Sequence, residues 1–205
     1  MGRKSINKVR IEDPQTKAIW LRALMPLLMD GELHRETMAT IARKVGVSKA
    51  TFYKHYHSKE ALLADAVELK IEQISRFATL LFDERESYLN RYANALQTAS
   101  EELAGISNNF LMFLKQRHPD LWQKIDELAD FGTKCFRQFY EQGIQENILE
   151  NFDVNMMALT DSIIIHSLTD PRILVENNIT IAAFIKEYFE MKSKAIFKTV
   201  DGGLR

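Results

Sequence analysis

Apolar residues recur along this chain at the spacing of helices, and strict alternation of apolar and polar residues is almost absent. Because such alternation marks a half-buried strand, we expect no strands and predict an all-α fold. The periodic segments, and the polar, Gly and Pro residues between them, predict helices near residues 58–82, 84–104, 107–117, 119–147, 153–168 and 178–198.

A further amphipathic helix is predicted near the N-terminus, with Asp13 as its cap and Pro14 at its first position. Pro26 lies deep inside this helix. Proline lacks a backbone donor and its ring clashes with the preceding turn, at a cost of about 3 kcal/mol. We therefore expect the helix to kink or restart near Met25.

Two shorter helices joined by a tight turn are predicted between residues 37 and 62. Thr37 is a suitable cap for the first helix, and Gly46 supplies the positive φ that ends it. Its buried face is predicted to comprise Met38, Ile41, Ala42 and Val45. Ser48 then caps the second helix, and Phe52 continues the apolar side. This pair has the layout of a DNA-reading helix-turn-helix.

The second helix carries side chains suited to DNA. Those predicted to face outward are Lys49, Thr51, Tyr53, Lys54 and His55. The lysines can pair with phosphates or guanine edges, the threonine can reach base edges, and the tyrosine and histidine can donate to phosphate oxygens. The helix N-terminus at Ser48 can also hold a phosphate. Lys59, in the first turn of the helix opened by Ser58, is unfavourable there unless a phosphate lies nearby.

The run TMATIARKVGVSKATFYKHYHSKEAL, residues 37–62, resembles the N-terminal signature of the tetracycline-repressor (TetR) family of bacterial transcription regulators. The resemblance implies that Thr37 touches the DNA backbone and that Lys59 holds a phosphate. Phe52 and Tyr56 fall on positions that the family packs inside, and Ala50 falls where a small residue lets the helix approach DNA. The predicted DNA-binding residues are Thr37, Ser48, Lys49, Ala50, Thr51, Tyr53, Lys54, His55 and Lys59.

Charge is divided unevenly along the chain. Residues 1–60 contain twelve Lys or Arg and six Asp or Glu, a net charge of +6, whereas the remaining residues carry −7. We predict a DNA-binding domain over residues 1–60 and a ligand-sensing and dimerisation domain over residues 61–205. The basic arm before Asp13 either touches a groove or phosphates or is a plain disordered terminus.

The chemistry of the sequence argues against an enzyme. The five histidines show neither HxxxH nor HExxH spacing, no Gly-rich phosphate loop occurs, and no cofactor or metal is expected. Cys135 is the single cysteine, so no intramolecular disulfide can form and a reducing cytoplasm is expected. The sequence shows no signal peptide or membrane span, so no membrane partner is expected.

The last two predicted helices are more apolar than one monomer core needs, which predicts a homodimer. In the resembled family the final two helices form a four-helix bundle with their twins. A purely intrachain core is the alternative. The predicted interface residues are Ile164, Ile181, Phe184, Ile185 and Tyr188.

The middle helices are rich in aromatic side chains, which the resemblance implies would line a cavity for a small-molecule effector. An ordinary filled core is the alternative. The candidate ligand-binding residues are Phe110, Phe113, Trp122, Phe131, Phe136, Tyr140 and His166.

We interpret the chain as a homodimeric transcription regulator, specifically a repressor that a small molecule releases from a palindromic operator. The alternative is a DNA-binding protein whose C-terminal domain engages a protein partner and no inducer. A cavity in the C-terminal domain would favour the first reading, and a filled core with an exposed apolar patch would favour the second.

Overall fold

The computed structural model describes residues 14–168, 170–200 and 203–204, and within these ranges the all-α prediction is confirmed. The helices are α1 (Pro14–Met29), α2 (Met38–Lys44), α3 (Lys49–Tyr53), α4 (Lys59–Ser75), α5 (Phe77–Leu81), α6 (Tyr88–Ala104), α7 (Asn108–Arg117), α8 (Pro119–Gln145), α9 (Val154–Leu168), α10 (Pro171–Glu176) and α11 (Ile181–Ile196). A 3₁₀ helix (Glu32–Arg35) precedes α2. The expectation of no strands fails only for one short pair among the described residues, in which β1 (Thr199–Val200) pairs antiparallel with β2 (Gly203–Leu204). The basic arm and Asp13 lie outside the described residues.

Hydroxyl side chains set the starting points of most of these helices. In each case the side-chain oxygen accepts a hydrogen bond from the backbone N–H three residues later, one of the donors that an α-helix leaves without an internal partner. The capping residues are Thr37, Ser48, Ser58, Ser87, Ser107 and Thr180. Capping depends only on neighbouring residues, so these starts are legible in the sequence.

Helices α1 to α3 and the start of α4 form an N-terminal head around an aromatic core. The Trp20 and Phe52 rings lie 5.5 Å apart, and Phe52 and Tyr56 lie 5.4 Å apart. Helix α1 continues through Pro26 to Met29, so the predicted restart near Met25 is wrong. Pro26 is exposed and lies near the end of the helix. Arg22, four residues earlier, is also exposed, so its carbonyl, which receives no N–H from the proline, can be solvated instead.

The helix that links the head to the rest of the chain is shorter than predicted. The sequence predicted one helix over residues 58–82, but α4 ends at Ser75 and α5 begins at Phe77. The Ser75 hydroxyl donates to the carbonyl of Ile71 four residues earlier, a bond that often accompanies a bend. The short helix α10 was not predicted, because the break at Asp170 and Pro171 reads locally as a loop.

The C-terminal domain is built on the long helix α8, which packs against α9 on one side and against α4, α5 and α7 on others, while α11 packs on α6. Its centre is aromatic: the Phe136 and Phe189 rings stack 4.6 Å apart, and Tyr92 lies edge-on to both at 6.0 and 6.4 Å. The Tyr92 hydroxyl donates to the Phe189 carbonyl at 3.1 Å, which joins α6 to α11.

A buried polar network joins α8, α9 and α11. Asp161 has no exposed surface, and its two carboxylate oxygens accept hydrogen bonds from the hydroxyls of Tyr140 and Tyr188, both at 2.8 Å. The Lys192 ammonium is bonded to the same carboxylate and lies 4.5 Å from the centre of the Tyr140 ring. Burial lowers the pKa of Lys192 and raises the pKa of both tyrosines, which the Asp161 charge raises further.

Candidate nucleic-acid interface

Helices α2 and α3 form the predicted helix-turn-helix, and local bonds fix the turn. The Thr37 hydroxyl accepts from the Thr40 N–H at 3.1 Å and starts α2. Gly46 has a φ of 73°, and the Val47 N–H donates back to the Ala42 carbonyl at 3.0 Å, which closes the end of the helix. The buried side chains of Ile41 and Ala42 then hold α2 on the head's core.

The outer face of α3 carries a cation beside an aromatic ring. Lys49 and Tyr53 are one helical turn apart and exposed, and the Lys49 ammonium lies 5.5 Å from the centre of the Tyr53 ring. This contact orients both groups on the same side of α3. Ala50 and Lys54 are also exposed, so four of the sequence-predicted side chains share an open surface.

Thr51 takes part in the capping of its own helix. Its backbone N–H donates to the Ser48 hydroxyl at 3.1 Å, and the two hydroxyls lie 2.9 Å apart. Either hydroxyl can be the donor of this contact. When the Ser48 hydroxyl donates to the Thr51 oxygen, the proton of the Thr51 hydroxyl stays available for a base edge. Thr51 is half-buried.

His55 lies deeper than the outward position that the sequence predicted. Its ring packs edge-on against Trp20 at 4.9 Å, and its Nδ1 is buried without a hydrogen-bond partner among the described residues. The ring therefore contributes to the packing of α3 on α1, and the half-buried side chain offers DNA less surface than Tyr53 or Lys54 does.

Lys59 connects the start of α4 to the start of α2. Its ammonium donates to the carbonyl of Glu36 at 3.2 Å, directly before the Thr37 cap. The Ser58 hydroxyl caps α4 by accepting from the Ala61 N–H. Thr37 and Lys59 thus lie beside each other, although 22 positions separate them, and a phosphate near the first turn of α2 would meet both.

A cavity of about 140 Å³ lies in the C-terminal domain below the head. Helices α4 to α9 and α11 contribute to its wall, together with Met29 at the end of α1. Nearly all the lining surface is carbon. Sequence reasoning missed most of the wall because its members are aliphatic residues such as Ile71, Leu103 and Leu128, which look like ordinary core.

Two of the candidate ligand-binding residues, Phe110 and Phe136, lie on the cavity wall. The expectation that the others share it does not hold, because their helix faces point elsewhere. Phe131 is exposed and Tyr140 belongs to the Asp161 network. Contacts away from the cavity also hold Phe113 against His118, Trp122 beneath Lys115, and His166 against Asp130.

The predicted dimer residues divide into two groups. Ile181 and Ile185 line the cavity, which places their side chains on the inner side of α11. Ile164, Phe184 and Tyr188 are half-buried. The exposed apolar side chains of this region are instead Met156, Leu159 and Ile163 on α9 and Met191 on α11.

Within the described residues, no group of three or more His, Cys, Asp or Glu side chains is placed to hold a metal ion. None of the helices within the described ranges is long and apolar enough to cross a membrane.

Comparison with known proteins places these features in a family. The model of "Bacterial regulatory proteins, tetR family" matches residues 21–66, which extend from α1 into α4. The nucleoid occlusion factor SlmA of Vibrio cholerae is 30% identical over 147 residues, 67% of this chain and 74% of that protein. SlmA of Idiomarina loihiensis is 27% identical over 144 residues, 64% of this chain and 74% of that protein.

Solved structures share the fold at low sequence identity. A putative transcriptional regulator from Saccharomonospora viridis, in complex with choline, has a TM-score of 0.68 at 14% identity. A TetR transcription regulator from Haloarcula marismortui has a TM-score of 0.67 at 15% identity. Each comparison covers 91% of this chain and all of the other. These structures show the shared fold, and the helix-turn-helix match together with the SlmA relationship establishes that the chain belongs to the tetR family of bacterial regulatory proteins, which are DNA-binding transcription regulators and not enzymes.

Proposed function

We propose that this protein is a homodimeric cytoplasmic repressor that binds a palindromic operator through α3 and leaves it when a small molecule occupies the cavity. The observation that carries this proposal is the composition of the cavity wall. Val67, Ile71 and Ile74 of α4 lie on it, and α4 begins at the DNA-facing end of the head. A molecule that spreads this wall shifts the helix that carries the head.

The end of α1 provides a second connection between the cavity and the head. The backbone N–H and the hydroxyl of Ser107 both donate to the Met29 carbonyl, at 3.0 and 2.9 Å. Gly31, with a φ of 76°, packs so closely on α7 that an added Cβ would lie 3.3 Å from the Phe110 nitrogen. Since Met29 and Phe110 also line the cavity, movement of α7 would reach α1 directly.

The proposed DNA contacts follow from the exposed face of α3. Lys49, Tyr53 and Lys54 would bind phosphates or guanine edges, and Thr51 would reach a base edge. Thr37 and Lys59 would bind one phosphate near the start of α2. His55 would contribute mainly by holding α3 against Trp20.

The proposed dimer surface is the exposed face of α9. Met156, Leu159 and Ile163 lie at helical spacing and are 61, 53 and 58% exposed. An apolar stripe of this kind is costly in water and is covered by a second copy in a symmetric dimer. The dimer would present its two recognition helices to successive major grooves, about 34 to 36 Å apart.

Operator selection from random duplexes, followed by binding and sedimentation measurements, tests this proposal. We expect the wild-type protein to be a dimer and to select a symmetric operator. Ile163→Asp should abolish dimerisation and lower operator affinity by at least about tenfold, because a charge in an apolar interface stays unpaired. Val175→Asp is the matched control, since Val175 is similarly exposed but lies on α10. An Ile163→Asp protein that still dimerises would contradict the proposed surface, and a protein without sequence preference would contradict the proposed function.

A second candidate function is favoured by the similarity to SlmA, whose name describes a nucleoid occlusion factor. In that case the protein would bind DNA and engage a protein partner, and the cavity would have no role. The two functions differ in one result: filling the cavity by mutation would abolish a response to effector in the first and would change nothing in the second.

A further inference from the structure

The cavity wall offers a ligand almost nothing but hydrocarbon. Of the 24 residues that line it, Lys70 is the only one with a polar side chain. The remaining wall is made of aliphatic and phenylalanine side chains together with Met29 and Gly132. A hydroxyl, amide or charge placed against such a wall loses its water without gaining a partner, which is unfavourable.

The charge of Lys70 is already matched. Its ammonium donates to the Glu102 carboxylate at 2.8 Å, and the two side chains are 13 and 30% exposed. An anionic ligand would have to displace Glu102 from Lys70 and bring its own charge out of water. A cationic ligand would find Glu102 occupied by Lys70, and no carboxylate is among the described residues that line the wall.

The size and shape of the cavity limit the ligand further. Its volume of about 140 Å³ is close to that of an engineered apolar cavity, about 150 Å³, that stays dry and binds benzene. Four phenylalanines stand in the wall, and the Phe77 and Phe136 rings are nearly parallel at 6.0 Å. Planar rings pack well against such side chains in stacked or edge-on arrangements.

Small residues create the space. Ala95, Ala99, Ala129 and Gly132 lie on the wall, on α6 and α8. At Gly132 an added Cβ would meet only the Phe77 ring, at an ordinary 3.8 Å. Backbone packing therefore does not require glycine at this position, and its missing side chain leaves room inside the domain.

We propose that the cavity selects an uncharged, hydrocarbon-rich molecule the size of one or two fused rings, and that it discriminates against carboxylates and quaternary ammonium ions. This inference extends the proposed function by naming the chemical class of its effector. Binding itself can be measured without DNA, so the two proposals can fail separately.

The test is calorimetric titration of the full-length protein with four probes: toluene, indole, benzoate and tetramethylammonium. We expect the neutral rings to bind at least about tenfold more tightly than either ion, because each ion must be desolvated. Ala99→Leu, which fills the cavity, should weaken binding of the neutral rings by at least about tenfold. Ala93→Leu, an exposed site on the same helix, is the matched control and should leave binding unchanged.

Two more variants make the result decisive. Ala129→Leu fills the cavity from α8 and serves if Ala99→Leu fails to fold. Lys70→Met removes the only polar side chain of the wall and should leave binding of toluene within about threefold, since a neutral ring needs no charge partner. Benzoate that binds more tightly than toluene and is lost in Lys70→Met would overturn the inference, as would the failure of both neutral rings to bind.

An operator-binding assay on the same samples separates this inference from the proposed function. Neutral rings that bind without weakening the operator complex would support the ligand class and contradict the release mechanism. Operator release by a charged compound that occupies the cavity, with no effect of neutral rings, would support the regulator and overturn the ligand class.

Discussion

The apolar cavity and the Asp161 network occupy neighbouring turns of the same two helices, yet they are built in opposite ways. On α8, Phe136 lines the cavity and Tyr140, one turn later, bonds to Asp161. On α11, Phe189 lines the cavity, whereas Lys192, about one turn later, belongs to the network. One region is hollow and almost purely hydrocarbon, and the other is filled and ionic. The domain thus combines a part that can adapt to an occupant with a part whose geometry is fixed.

The physical costs of the two regions differ accordingly. Side chains around a void lose dispersion contacts on one side, a modest penalty that a ligand can reverse. A buried ion pair pays a large desolvation penalty that only good geometry and additional hydrogen bonds repay. Asp161 has both, from two tyrosine hydroxyls and one ammonium. We expect the network to hold α9 and α11 in register beneath the proposed dimer surface while the cavity side moves.

The largest predicted effect is the removal of one partner from the network. Lys192→Met leaves Asp161 charged, buried and short of a counter-ion, so we expect a loss of about 3 to 5 kcal/mol in the free energy of unfolding. Urea denaturation at a fixed protomer concentration measures it. Lys186→Met is the matched control, because the exposed Lys186 makes only a 3.8 Å pair with Glu190 and should change stability by less than about 0.5 kcal/mol.

Replacing both partners tests whether the network serves geometry more than stability. Asp161→Leu combined with Lys192→Met should recover most of the stability lost in Lys192→Met, since no unpaired charge remains. A Lys192→Met protein as stable as wild type would show that Asp161 and Lys192 are not tightly coupled. The contrast between an ionic network of fixed geometry and an adaptable cavity would then fail.

A matched pair of leucine truncations compares the two kinds of packing directly. Leu81 and Leu114 are both fully buried, but only Leu114 lines the cavity. Leu81→Ala should cost about 3 to 5 kcal/mol, whereas Leu114→Ala should cost about 2 to 3 kcal/mol because its side chain already lacks neighbours on one side. Thermal and chemical denaturation give both values. Equal costs would indicate that the cavity collapses in solution.

The pH dependence of stability should report the network. Burial raises the pKa of Tyr140 and Tyr188, so the native state keeps protons that the unfolded chain releases above about pH 10. Their contribution to stability is complete below that pH and is lost as the pH rises further. The lowered pKa of Lys192 has the opposite sign and makes stability rise with pH below about 10.5.

Denaturation between pH 9 and pH 11 checks this balance. Tyr188→Phe should reduce the loss of stability above pH 10 by up to about 1.4 kcal/mol per pH unit, the limit for one titrating group. An unchanged slope in this variant would mean that the Tyr188 hydroxyl is not held against Asp161.

Smaller effects are expected for single side chains of the head, where Lys59 has a fixed contact within the protein and Thr51 has a hydroxyl that can reach a base edge. Lys59 is held by the Glu36 carbonyl, and Lys59→Ala should weaken all DNA sequences alike and lower the salt slope by about 0.9 per lost phosphate contact. Thr51→Ala should change operator preference by about 1 kcal/mol at one base pair per half-site. Tyr53→Phe should reduce affinity modestly without changing preference.

Binding isotherms on operator and scrambled duplexes at several salt concentrations distinguish these roles. Equal losses on both duplexes for Thr51→Ala would remove it from the base-reading residues. A change of operator preference in Lys59→Ala would mean that this lysine does more than hold a phosphate.

The head was readable from sequence because its signals are local. The caps at Thr37, Ser48 and Ser58 and the positive φ at Gly46 depend on a few adjacent residues, and all four occur as predicted. The burial of His55 against Trp20 was not visible, because it depends on how α3 crosses α1. Periodicity fixes which residues share a face but not which other helix that face meets.

The C-terminal domain shows this limit more clearly. Ile185 and Phe131 are both apolar residues at helical spacing, yet one lines the cavity and the other lies on the surface. A cavity depends on how several helices pack together, so no single stretch of sequence predicts it. The Asp161 network had a visible signal, a lone aspartate within the apolar run of α9, but its partner Lys192 lies 31 positions away.

In the mechanism that we propose, the occupied cavity controls DNA binding through α4 and the end of α1. The most direct test is the operator dissociation constant of the wild-type protein, measured with and without a saturating concentration of the tightest-binding neutral ring. We expect occupancy to weaken operator binding by about 5- to 150-fold and bound operator to weaken binding of the ring by the same factor, since coupling is reciprocal. An operator affinity that stays unchanged while calorimetry shows the cavity to be filled would contradict it.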